Sequence, residues 1–162
     1  MEECGSRNCE KLRKACGKCR ILMWVCIALL FLVFIFGIIV TFLYLGNEEQ
    51  MLQMAIGVGS DMICVILLLA ACFIADGILK RISKGETPFT YYNADKLRLI
   101  SILLMVSFVI TTVFQIILMC MPDNEYEVSF SWELLISGLA IYVISMIFRY
   151  GTMLQIQSDE TV

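Results

Sequence analysis

An all-α integral membrane protein, a four-helix bundle with both termini in the cytoplasm, is the fold class that three observations predict. First, 60% of the 162 residues are apolar, where a soluble domain is nearer half. Second, the apolar residues fall in four blocks of about twenty, long enough to cross a bilayer core of about 30 Å as helices. Third, the Lys and Arg residues stand on one side of those blocks and the loops on the other side have none. Such runs must be helical, because lipid offers no partner to an unpaired backbone group.

The first block, residues 21–45, holds no charge. It follows about twenty polar residues and is longer than the apolar core of a signal peptide. No small-x-small site closes it, so a retained span is expected. The second, residues 58–79, has Asp61 and Asp76 near its ends. The third, residues 99–121, is again uncharged, and the fourth, residues 132–148, has Glu133 at its edge. The membrane domain is therefore expected over residues 21–150. A Cys-rich basic segment, residues 1–20, precedes it and a tail, residues 151–162, follows.

The charges orient this domain. Arg7, Lys11, Arg13, Lys14, Lys18 and Arg20 precede the first span. Lys80, Arg81, Lys84, Lys96 and Arg98 lie between the second and third, and Arg149 follows the fourth. The other two loops carry Glu48, Glu49, Asp123, Glu125 and Glu127 instead. By the positive-inside rule both termini and the middle loop are cytoplasmic. The N-terminal segment, that loop and the tail make up the cytoplasmic face.

The middle loop, "KGETPFTYYNADKLR", carries the turn chemistry of a structured connection. Gly85 permits a backbone turn that a Cβ resists. Pro88 fixes its own φ and pushes Thr87 towards an extended form. Thr90 or Asn93 is placed to cap a helix running into the third span. Phe89, Tyr91 and Tyr92 suit the headgroup layer. The bland reading is a capped interfacial turn. In the tail, Arg149 is placed to snorkel, and Gly151 offers a C-cap or joint. Met153, Leu154 and Ile156 suit a helix that continues or resumes along the membrane surface, and "SDETV" is expected to be loose.

These two stretches resemble a bacterial membrane family known as domain of unknown function 2975. The loop matches its G-x-P-F-T…N…L-R signature at Gly85, Pro88, Phe89, Thr90, Asn93 and Arg98. The tail is similar in its aromatic-Gly pair at Gly151, in Leu154-Gln155, and in Asp159, Glu160 and Thr161 before a final aliphatic residue. The resemblance runs from about residue 21 to the C-terminus. It implies a small four-span protein of the bacterial cell membrane, often encoded beside a Cro-like helix-turn-helix regulator. Asn93 stands where an acidic residue would complete a capping box.

Eight cysteines are many for this length. Cys4, Cys9, Cys16 and Cys19 form C-x4-C-x6-C-x2-C. Four thiolates suit tetrahedral zinc, the one cofactor the residues suggest. Nearby Lys and Arg suit redox sensing or acylation equally, and no dedicated role is the third reading. Structural disulfides are not expected in a reducing compartment. Cys26, Cys64, Cys72 and Cys120 lie in or beside spans and are expected to pack as small apolar residues.

Asp61 and Asp76 stand about 22 Å apart along a helix, so they cannot share a site. Asp76 has Lys80 as an i,i+4 partner. Gln115, Ser137, Gly138 and Ala140 are expected to let helices pack closely. The chain has no histidine, which excludes His-based zinc catalysis and His general bases. It shows no phosphate-binding glycine loop and no nucleophile triad, so no enzyme is expected.

The leading expectation is a regulatory or interaction protein of the bilayer, with no direct contact to nucleic acid. It would hold a small cytoplasmic DNA-binding regulator, a partner class that comes from the resemblance. The first alternative is a small transporter or channel, alone or as a homo-oligomer, with Asp61, Asp76 and Gln115 along a polar path. No internal repeat or broken-helix pair supports it. The second is a protective protein against membrane-active peptides, with the acidic outer loops exposed.

Overall fold

The computed structural model describes residues 2–44, 51–121 and 131–160, with backbone alone for 2–14, 44, 51–55 and 159. It is all-α: α1 (Glu2–Tyr44), α2 (Met51–Ser83), α3 (Tyr91–Met119) and α4 (Trp132–Glu160). Each contains a stretch long and apolar enough to cross a membrane. The stretches are Ala15–Leu43, Ile56–Ser83, Tyr91–Met119 and Trp132–Ser158. The bundle is open. Each helix packs on its neighbours in the chain, and among the described residues no backbone approach joins helices that are not neighbours. The four helices therefore stand in a row.

The core lies along the middle of that row. Ala71 and Ile78 of α2 meet Ile100 and Leu104 of α3, with Leu134 and Ile141 of α4 packed against them. Small polar residues bring the helices close. Ser101 and Ser107 are fully buried, and Thr111 nearly so. Their hydroxyls donate to carbonyls of their own helix, Ser101 to Arg98, Ser107 to Leu103 and Thr111 to Ser107, at 2.7–3.0 Å. No hydroxyl among these three is left unpaired in lipid. Gly138 of α4 packs closely on Ser101: an added Cβ would stand 3.2 Å from Met105 Cγ and 3.4 Å from the Ser101 carbonyl. Of the residues expected to tighten packing, Gly138 is buried, Ser137 and Gln115 are half-buried, and Ala140 is exposed. On the α1 side, Gly37 sits against Met62, and Trp24 meets Phe73 edge-on at 6.5 Å.

The helices outrun the apolar blocks. No proline follows Gly151, and α4 continues through it to Glu160. The C-cap at Gly151 is not formed, and "SDE" belongs to the helix. Cys64 and Cys72 are half-buried, as small apolar packing requires, whereas Cys26 and Cys120 are exposed on the surface of the row.

Candidate functional site

The N-terminal half of α1, the C-terminal end of α2, the N-terminal end of α3 and the C-terminal end of α4 meet at one end of the row. Nearly all of the described basic side chains gather there. Two structures are built on it, a groove between α1 and α2 and a folded loop against α4.

The groove is an open cavity of about 1030 Å³. One face of α1 supplies Gly17, Arg20, Ile21, Trp24, Val25 and Ala28, a spacing of three and four residues that keeps them in line. The end of α2 supplies Lys80 and Ser83, and Lys84 follows directly after it. Arg20 donates from Nε to Asp76 Oδ1 at 3.0 Å, which ties α1 to α2 at the groove floor. The expected partner of Asp76 was Lys80, four residues on; the structure pairs it with Arg20 instead. Lys80 points away and stays exposed. Among the described residues, neither Lys80 nor Lys84 has an ion-pair partner.

The loop is folded around Arg81. Its guanidinium lies 4.0 Å from the centre of the Tyr92 ring, and its Nε is 3.2 Å from Glu86 Oε2. Lys96 approaches the same ring at 5.4 Å. Gly85 takes φ +95°, the left-handed turn that its missing Cβ allows. Of the two candidate caps Thr90 is the one used: its side chain accepts from the Asn93 backbone N–H at 3.2 Å. Asn93 lies one turn in and buried, and donates from Nδ2 to the Pro88 carbonyl at 3.0 Å. Arg98 is exposed.

Phe89 then reaches α4. Its ring centre is 5.2 Å from that of Phe148, and an added Cβ on Gly151 would stand 2.8 Å from Phe89 Cδ1. The loop and the start of the tail thus share one surface. Leu154, Gln155 and Glu160 lie further along α4 and are exposed. The Asp159 side chain and Thr161 lie outside the described residues.

The cysteines are placed on α1. Cys16 is half-buried and Cys19 exposed, while the side chains of Cys4 and Cys9 lie outside the described residues. About 22 Å of continuous helix separates residues 4 and 19, so four thiols would converge on one ion only if that helix opened. Among the described residues no three Cys, Asp or Glu side chains gather in a metal-binding group.

Reading the sequence for motifs missed the groove, because neither helix carries it alone. The signal was present in the in-line spacing of Gly17, Arg20, Trp24 and Ala28 ahead of an uncharged span.

The family model that matches is MatE, a membrane efflux family, over residues 2–94. That is more than half of the chain. This chain belongs to the MatE family. The match corrects the expected resemblance to domain of unknown function 2975: the loop and tail motifs that carried it are short, and most of them lie beyond or at the edge of the matched segment. The MatE segment contains α1, α2, the groove and the loop as far as the first residues of α3. No curated protein and no solved structure matches the chain.

Proposed function

We propose that this chain is a small membrane transporter of the efflux type, with its basic end in the cytoplasm, working as part of a larger assembly. The observation that carries this reading is the MatE match, which spans the two helices that form the groove. The orientation rests on the Lys and Arg distribution. The assembly rests on the open row, which among the described residues encloses no path by itself, and on Asp61. That carboxylate lies within the apolar stretch of α2 and is exposed on the surface of the row. A carboxylate at such a place ordinarily faces protein or a watery cavity rather than lipid. The test is flux from vesicles holding the purified chain. Loss of a preloaded amphiphilic dye faster than from protein-free vesicles, slowed by Asp61→Asn, supports the reading. Equal rates with and without the protein reject it.

A second reading is a platform for a cytoplasmic protein such as a helix-turn-helix regulator. One observation favours it: α4 runs on past the surface made with Phe89 and leaves Met153, Leu154 and Ile156 exposed. Binding of a purified regulator that is lost in Leu154→Ala with Ile156→Ala would support it. Binding equal to that variant's would remove it.

A further inference from the structure

We infer that the α1–α2 groove is a binding site for an anionic phospholipid, with the headgroup on Lys80 and Lys84 and an acyl chain along α1. Charge is the first argument. Among the described residues, Arg20, Lys80 and Lys84 line the groove and no acidic residue does. Asp76 neutralises Arg20 through the 3.0 Å ion pair, so among the described residues the charge left for a ligand is that of the two lysines. Both are exposed and reach the opening on four-carbon stems. A lysine beside an anionic lipid surface gains about fivefold in binding.

Shape is the second argument, and it separates a lipid from a free phosphate. Below the lysines the groove wall turns apolar along α1, with Ile21, Trp24 and Val25 at 68%, 51% and 49% exposure. An ion needs only the charged rim. An amphiphile with a negative head and a long apolar tail uses both halves. The site also lies where such a molecule is found. Trp24 marks the depth at which indole rings settle in the headgroup layer, and Arg20 stands one helical turn above it. The bound lipid would bridge the end of α2 to α1 beside the Arg20–Asp76 pair. The inference does not depend on transport, because a lipid held here would support the α1–α2 contact whatever the chain moves.

Trp24 supplies the readout. The full chain carrying Trp132→Phe keeps Trp24 as its single tryptophan. It is placed in phosphatidylcholine nanodiscs, and phosphatidylglycerol with brominated acyl chains is titrated in. Quenching of Trp24 is expected at far lower mole fractions than with brominated phosphatidylcholine. Lys80→Gln with Lys84→Gln is expected to shift that titration by about 25-fold, the product of two fivefold terms. Lys96→Gln with Arg98→Gln, at the same end but outside the groove, is expected to leave it in place. Far-ultraviolet dichroism confirms that each variant is folded. Equal quenching by both lipids overturns the inference, as does a preference that survives loss of Lys80 and Lys84. Displacement of the anionic lipid by millimolar inorganic phosphate would assign the site to a free anion and overturn it as well.

Discussion

Gly151 gives the sharpest test of how the loop meets α4. A Cβ there would stand 2.8 Å from Phe89 Cδ1 and 3.2 Å from Cε1, well inside the 3.5–4.0 Å of ordinary carbon contact. The ring is also held by Phe148, 5.2 Å away between centres. Overpacking of this kind costs about 1–3 kcal/mol. Against that, replacing a helical glycine by alanine gains about 1 kcal/mol. Gly151→Ala is therefore expected to be neutral to destabilising by about 2 kcal/mol. Phe89 is 41% exposed, so about three-fifths of its burial is lost in Phe89→Ala, or about 1–2 kcal/mol. In that background the clash is gone, and Gly151→Ala should now stabilise by about 1 kcal/mol. The same substitution thus changes from neutral or harmful to helpful, a coupling that a double-mutant cycle measures directly. Unfolding of the four proteins in detergent, followed by far-ultraviolet dichroism, is the assay. Stabilisation by Gly151→Ala of equal size in both backgrounds would show that Phe89 does not rest on Gly151.

Two further outcomes follow from the same end of the molecule. Arg20→Ala is expected to destabilise by about 1.5–3 kcal/mol, the usual value of a hydrogen bond to a charged group. The exchange Arg20→Asp with Asp76→Arg should recover part of it, and no recovery would mean that the pair is incidental. For the N-terminal cysteines, a zinc site made by all four thiols has a signature of its own. Reduced protein would carry about one zinc per chain, and binding would lower helix content because α1 must open between residues 4 and 19. Metal-free protein of unchanged helicity would dismiss the site.

What the sequence made legible was whatever depends on neighbours in the chain. Four spans could be read because an uncharged run such as residues 99–121 has one stable form in lipid, whatever surrounds it. The turn at Gly85 and the cap at Thr90 could be read because backbone sterics and a side chain three residues away decide them. The Arg20–Asp76 pair could not, since it joins residues 56 apart and depends on which face α1 turns to α2. Lys80 was the nearer partner in sequence but points into the groove opening. The contact of Phe89 with α4 could not be read either: it forms about a turn before the apolar Leu154 and Ile156, where the missing Cβ of Gly151 makes room for a ring. The end of α4 was hidden for a simpler reason: a glycine permits a helix to stop without requiring it.

The proposed direction of transport and the cytoplasmic place of the groove and loop surface assume that the basic end of the row faces the cytoplasm. Reporter fusions test this directly, with a phosphatase active only outside and a fluorescent protein active only inside. Insertions at Asn47 and Asn124 are expected to report outside, and insertions at Lys84 and after Val162 to report inside. An outside report at Lys84 would contradict the orientation and, with it, the cytoplasmic place of the groove.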